Sequence, residues 1–150
     1  MMKSIFDKET KDEVVGRIKL LNENSKPQWG KMTVAQMVKH CSLCEEYYYG
    51  NIKIKRSFLG RVFGKRAINS ILKDETTGIR KNAPTPPPFK VSTPDLNLEV
   101  ERENWEKLIN RYDTFAGENF THWFFGKMSK NQLGEFIYKH CDHHLRQFGV

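Results

Sequence analysis

The C-terminal stretch SKNQLGEFIYKHCDHHLRQFG, residues 129–149, carries most of the information about the fold. Its apolar residues recur every three to four positions, which is the period of an amphipathic helix. Ser129 with Gln132 forms a capping pair at its start, and Gly149 stands where helices commonly end. We therefore expect a long C-terminal helix. Its inward residues are expected to be Leu133, Phe136, Ile137, Leu145 and Phe148.

Two histidines of this helix share its apolar face. At about 100° per residue, His140 and His144 lie one turn apart inside the apolar stripe, whereas His143 lies at its edge. We expect His140 and His144 to point into the interior together and His143 to lie nearer the rim.

Three further helices are predicted upstream. The first covers about residues 8–22, and the second begins at the capping pair Thr33 and Gln36 and ends near Tyr49. The third covers about residues 96–115. Its inward residues are expected to be Val100, Trp105, Leu108, Ile109 and Tyr112. Because no segment alternates apolar and polar residues as a strand does, the predicted fold class is all-α.

A long connection separates the second and third helices. It holds a basic stretch, residues 52–73, with a shorter amphipathic helix, followed by NAPTPPPF at residues 82–89. The four prolines of the second segment require an extended backbone that crosses the outside of the domain. A connection of this length allows helices two and three to lie parallel, as in bundles with a crossover.

Helix two adds a third inward histidine. Met37, Cys44, Tyr47 and Tyr48 flank His40, and the polar side of the helix is expected to hold Lys39, Ser42, Glu45 and Glu46. Burying three imidazoles without partners is costly, and one divalent cation satisfies all three. His40, His140 and His144 are therefore the predicted ligands of Zn²⁺ or Ni²⁺, with one coordination position left open. The alternative is that each is a hydrogen-bonded core histidine.

The cysteines give a weaker pattern. Cys41 and Cys44 form a Cys-x-x-Cys, but it lies in mid-helix, without the helix N-terminus that activates a redox pair. Packing in the core is the role expected of Cys41 and Cys141. A thiolate ligand is the alternative for Cys44.

Composition limits the classes of protein that fit. The 150 residues suit one domain, residues 1–150, and carry a net charge of +7. No apolar run approaches the about 18 residues of a membrane span, and the start resembles no targeting signal, so a cytoplasmic location is expected. The densest basic cluster is acid-free. Its members are Lys53, Lys55, Arg56, Arg61, Lys65 and Arg66.

This basic stretch has two interpretations. It contains no named nucleic-acid motif, although Lys and Arg interleave with Phe58, Leu59 and Phe63 in a way that suits nucleic acid or a membrane surface. Alternatively, basic residues near a pocket attract a small anionic substrate. The apolar side of the helix over 58–72 could also support a homodimer.

Three segments resemble the DinB-like (YfiT-like) superfamily, in an uncharacterised branch. They are WGKMTVAQMVKHC at 29–41, HWFFGKMS at 122–129 and YKHCDHHLRQFG at 138–149. Together with the segment at 82–89, the resemblance covers nearly the whole chain. It implies a four-helix bundle of up-down-down-up type whose metal is held by His40, His140 and His144.

The resemblance also implies chemistry. Members of the superfamily include bacillithiol S-transferases and a mycothiol-dependent maleylpyruvate isomerase, so the implied function is a metal-dependent transferase or hydrolase that activates a low-molecular-weight thiol or water. His143, Tyr47, Tyr48 and His122 are then candidates for orienting ligands or moving protons. The basic insertion and the proline segment are absent from many relatives, so the substrate does not carry over.

Two non-enzymatic functions are left open by the sequence. One is a metal-binding bundle whose basic helix engages an anionic partner, either nucleic acid or a membrane surface. The other is a structural bundle with core histidines and no metal.

Overall fold

The computed structural model describes residues 2–150 and is predominantly helical, as predicted. The helices are α1 (Lys8–Leu20), α2 (Val34–Tyr48), α3 (Phe58–Ile71), α4 (Leu98–Asn110) and α5 (Lys130–Gln147). Short 3₁₀ turns cover Pro87–Phe89 and Arg111–Thr114. The third predicted helix is therefore shorter than expected, since its last turn is the second of these 3₁₀ segments.

Both predicted capping pairs form complete capping boxes. At the start of α2, Thr33 Oγ1 accepts from the backbone N–H of Gln36, and the Gln36 side chain accepts from the backbone N–H of Thr33. Ser129 and Gln132 make the same exchange at the start of α5. Each box satisfies donors that a helix start otherwise leaves unpaired, which fixes where the two helices begin.

Helices α2 and α4 run parallel. Gln36 near the start of α2 donates to the carbonyl of Thr93, just before α4, and Tyr49 after α2 donates to the carbonyl of Leu108 near the end of α4. The long connection between α2 and α4 makes this direction possible, because a short loop would have returned the chain antiparallel.

Helix α1 packs against both α4 and α5, and its direction relative to each of them differs. It is antiparallel to α4, since Lys11 pairs with Asp113 while Arg102 donates to the carbonyl of Leu21. It is parallel to α5, since the amide of Ile5 donates to Gly134 and Arg17 pairs with Asp142.

A two-stranded hairpin corrects the all-α prediction. Strand β1 (Asn119–His122) pairs antiparallel with β2 (Gly126–Ser129), with Asn119 opposite Ser129 and His122 opposite Gly126. Each strand holds a single large apolar residue, Phe120 in β1 and Met128 in β2, so neither shows an alternation of apolar and polar residues in the sequence. The hairpin leads directly into α5, and its turn packs on α3, where the amide of Ser57 donates to the carbonyl of Trp123.

Two predictions about helix faces were wrong. Val100 is 60% exposed, because it lies about 200° around α4 from the buried Leu98. Ser42 and Glu45 are buried, although both were expected on a polar side of α2. Helix α2 contacts both α4 and α5, so this side is covered.

None of the helices within residues 2–150 has the length and apolar character that crossing a bilayer requires.

Candidate metal centre

Helices α2 and α5 bring three imidazoles together in the interior. The ring centroids of His40 and His144 are 4.8 Å apart, those of His140 and His144 are 4.7 Å apart, and those of His40 and His140 are 5.5 Å apart. The two helices are antiparallel, because the contact between Tyr48 and Phe136 lies further along α2 and earlier along α5. The residues predicted as ligands therefore form one cluster.

The backbone of the proline-rich connection orients His40. Nδ1 of His40 lies 2.9 Å from the carbonyl oxygen of Phe89, at the end of the first 3₁₀ turn. A carbonyl oxygen only accepts, so Nδ1 carries the proton and Nε2 keeps its lone pair. Nothing in the sequence around Phe89 indicated this contact.

A glutamine orients His144 in the same way. Nδ1 of His144 lies 2.8 Å from Oε1 of Gln147, whose Nε2 donates to the carbonyl of Trp29 at 2.8 Å. The second bond fixes which end of the amide faces the ring, so Oε1 accepts from Nδ1–H and Nε2 of His144 keeps its lone pair. Gln147 falls seven residues after His140, on the same helical face, and that spacing could have identified it.

His140 differs from its neighbours. Its Nδ1 is buried and has no hydrogen-bond partner within residues 2–150. An unpaired buried ring nitrogen costs about 1–3 kcal/mol relative to a satisfied one. A cation or a ligand group in the cluster would remove that cost.

Two cysteines join the imidazoles. Donor atoms within 4.8 Å of one another occur in two sets, His40 with Cys44 and His140, and Cys41 with His140 and His144. His140 belongs to both sets, and Cys44 Sγ is 3.8 Å from Nε2 of His40. Within the described residues, the three imidazoles alone do not meet this distance. Cys44 was the predicted alternative ligand, whereas Cys41 was expected only to pack.

Burial determines the protonation of these groups. It lowers the pKa of His40, it lowers the pKa of His144 to about 3, and it lowers the pKa of His140 well below its usual value. Burial and the nearby Glu45 raise the pKa of Cys44 well above its usual value. At neutral pH the rings are therefore neutral and able to donate lone pairs, while the thiol keeps its proton.

Tyr47 and His122 hold the hairpin turn. The Tyr47 hydroxyl accepts from the backbone N–H of Trp123 at 2.6 Å, and burial raises its pKa to about 12. Nδ1 of His122 accepts from the backbone N–H groups of Phe124 at 3.1 Å and Phe125 at 3.2 Å. The ring proton of His122 is therefore on Nε2, which leaves this residue only a donor for further contacts.

Tyr48 lies in the core, and His143 lies beside His144. Tyr48 is buried against Phe136, and burial raises its pKa well above the usual value. His143 is half-buried, with its ring 5.4 Å from that of Trp29 and 5.0 Å from that of His144. Its position at the edge of the cluster agrees with the expected place at the rim.

A cavity of about 1070 Å³ opens beside the three imidazoles. Its walls come from α2, α3, α5, the hairpin turn and the connection over residues 77–92. Lys31, Arg80 and Lys90 line it, and no Asp or Glu of the described chain does. Aromatic side chains supply much of the remaining wall. They are Trp29, Tyr48, Phe89, Trp123, Phe124, Phe125 and Phe136.

Helix α2 also carries a buried carboxyl group. Glu45 is fully buried, and its oxygens accept from the hydroxyl of Tyr112 and from Cys141 Sγ, the latter at 3.6 Å. Burial raises the pKa of Glu45 to about 7. The apolar neighbours Val38 and Cys41 on the same side of α2 could have indicated this burial.

One comparison with known proteins identifies a family. The family model described as "Protein of unknown function (DUF1569)" matches residues 3–149. The chain belongs to this family. No curated protein and no solved structure matches it. The matched region includes both helices of the imidazole cluster and the proline-rich connection between them. The description of the family assigns no activity.

Proposed function

We propose that this DUF1569 chain is a metal-dependent transferase or hydrolase for a small molecule, with His40, His140 and His144 holding a divalent cation such as Zn²⁺ or Ni²⁺. One observation carries the proposal: three neutral imidazoles from two helices converge, and two of them have Nδ1–H fixed by an oxygen acceptor. Metal-bound histidines commonly have this support, because it turns the other nitrogen toward the cation.

The donor types of the cluster suit such an ion, and the three ring nitrogens must move closer together to share it. The unpartnered Nδ1 of His140 supplies a third nitrogen, and the thiol of Cys44 is near enough to serve as an additional donor. Imidazole ligands suit Zn²⁺ and Ni²⁺ alike. A cation with an open position lowers the pKa of a bound thiol or water toward neutrality and so supplies a nucleophile.

The directions of the helices support the DinB-like arrangement. With α1 taken as up, its antiparallel contact with α4 and parallel contact with α5 assign α4 as down and α5 as up. Helix α2 is parallel to α4, so the order is up, down, down, up. This is the order that the resemblance implies.

The cavity supports a small anionic substrate. Lys31, Arg80 and Lys90 line the cavity, no Asp or Glu among residues 2–150 lines it, and its aromatic walls suit an apolar body. In this proposal Tyr48 and His143 contact the substrate, whereas Tyr47 and His122 keep the hairpin turn in place. The resemblance implies a low-molecular-weight thiol as co-substrate.

A turnover assay tests this function. Metal-free protein is loaded with Zn²⁺ or Ni²⁺ and incubated with a small thiol and a set of carboxylate-bearing electrophiles and esters. We expect turnover only after loading, its loss in His140→Ala, and its retention in the surface variant Val100→Ala. Equal rates with metal-free protein, loaded protein and His140→Ala would contradict the proposal.

A further inference from the structure

Helix α3 exposes a cluster of large apolar side chains. Phe58 is 79% exposed, Leu59 59%, Val62 60% and Phe63 54%, all within six consecutive residues. Elsewhere in the described chain, large apolar residues this exposed occur singly, as Leu20 on α1 and Val100 on α4. Single exposed apolar residues are ordinary, but a cluster indicates a contact surface.

Close packing on the opposite side fixes the orientation of α3. A Cβ atom at Gly60 would lie 2.5 Å from the carbonyl oxygen of Phe124, and one at Gly64 would lie 2.0 Å from it. Ile68, one turn further on, is fully buried. The helix backbone therefore rests directly on the hairpin turn and cannot roll to hide its apolar residues without losing this contact.

The stretch of sequence that holds the cluster carries only positive charges. Residues 47–73 contain seven Lys and Arg and no Asp or Glu. On α3 itself, Arg61, Lys65 and Arg66 are exposed beside the apolar residues, and Lys53 and Lys55 are exposed just before the helix. The surface of α3 therefore combines exposed apolar groups with unopposed cations.

We propose that α3 docks the protein on an anionic membrane surface. Phe58, Leu59, Val62 and Phe63 enter the boundary between headgroups and acyl chains, while the exposed cations contact lipid phosphates. A helix lying in the interface needs both features, apolar side chains on one surface and Lys or Arg beside them. This inference is independent of the proposed metal chemistry.

Two other occupants fit the surface less well. A second copy paired through a two-fold axis would place the same cations opposite each other, which disfavours the contact. A nucleic acid would use the cations but would leave the aliphatic Leu59 and Val62 without an apolar partner.

Vesicle co-sedimentation tests the proposal with the full chain. We expect binding to phosphatidylcholine vesicles that contain phosphatidylglycerol and little binding to phosphatidylcholine alone. The double variant Phe58→Ser/Val62→Ser should weaken binding by about tenfold or more, because two apolar side chains no longer enter the interface. The matched control Leu20→Ser/Val100→Ser changes two similarly exposed apolar residues and should bind like the wild type.

Charge provides a second, independent measurement. Lys65→Gln/Arg66→Gln should weaken binding by about fivefold for each cation removed. The proposal would be overturned if the Leu20/Val100 control lost as much vesicle binding as the Phe58/Val62 variant. It would also be overturned if the Phe58/Val62 substitutions left vesicle binding unchanged. Protein that leaves vesicles unbound and instead forms a dimer, or binds single-stranded DNA, through the same residues would overturn it as well. Unchanged thermal unfolding of each variant shows that the loss is not a folding defect.

Discussion

Oε1 of Gln147 lies 2.8 Å from Nδ1 of His144, and the same amide is held by the carbonyl of Trp29. One helix end, at Gln147, and one loop, at Trp29, thus together fix the ring of His144. His40 has the equivalent support from the carbonyl of Phe89. Both supporting oxygens come from chain segments outside the paired helices or at their ends, so the connections of this fold orient the site as much as its helices do.

The hydrogen bond between His144 and Gln147 predicts the effect of substituting Gln147. Gln147→Met keeps the volume of the side chain but removes the acceptor, so the ring loses its fixed orientation. We expect the affinity for Zn²⁺ to fall by about 10–100-fold, measured by competition with a chelator. Gln28→Met, an exposed change, is the control. Equal affinity in both variants would show that Gln147 does not support a ligand.

The hydrogen bonds also predict the tautomer of each ring. His40 and His144 should carry the ring proton on Nδ1, and His122 should carry it on Nε2. Nitrogen NMR of the imidazoles in metal-free protein distinguishes the two forms. Observation of Nδ1–H at His122 would contradict the assigned role in the hairpin turn.

His122 should stay neutral in mildly acidic solution. Burial lowers its pKa to about 3, with Arg56 nearby as a second cause. Because the pKa of His122 is lower in the folded protein than its usual value, the buried neutral ring contributes to the free energy of unfolding. This contribution is complete above the usual pKa. That contribution is lost as the pH falls toward 3. A titration in the NMR spectrum of the folded protein near pH 6.5 would contradict this result.

The contact between α3 and the hairpin turn predicts opposite effects for two glycines. Gly64→Ala places Cβ against the Phe124 carbonyl and should destabilise the fold by about 1–3 kcal/mol. Gly16→Ala, in the middle of α1 with open space around it, should instead stabilise by about 0.5–1 kcal/mol. Urea unfolding of both variants measures the difference. A Gly64→Ala protein as stable as Gly16→Ala would disprove the close approach.

The hydrogen bonds of Asp74 predict that the stability of the turn around it depends on pH. Its carboxylate accepts from the hydroxyls and backbone N–H groups of Thr76 and Thr77, which lowers its pKa to about 2. The stability that this turn contributes should be complete above the unfolded-state pKa near 3.8 and lost as the pH falls through about 2. The stability difference between wild type and Asp74→Asn should shrink over that interval, and a constant difference would contradict it.

The sequence predicted the helices well because each had a local signal. Capping pairs at Thr33 and Ser129 and the period of the apolar residues need no knowledge of the rest of the chain. The same period placed His40, His140 and His144 on inward faces. Local signals failed where a distant part of the chain decides the outcome. The burial of Glu45 depends on α4 and α5, which cover it. The acceptor of His40 is the carbonyl of Phe89, which lies in the long connection.

Metal content of the purified protein tests the central claim most directly. After equilibration with Zn²⁺ and removal of the excess, we expect one ion per chain in the wild type and in His143→Ala. His40→Ala, His140→Ala and His144→Ala should each retain almost none, and retention by Cys44→Ser would show that the thiol is dispensable. A wild type without bound zinc, or a His140→Ala/His144→Ala variant that keeps a full equivalent, would contradict the account.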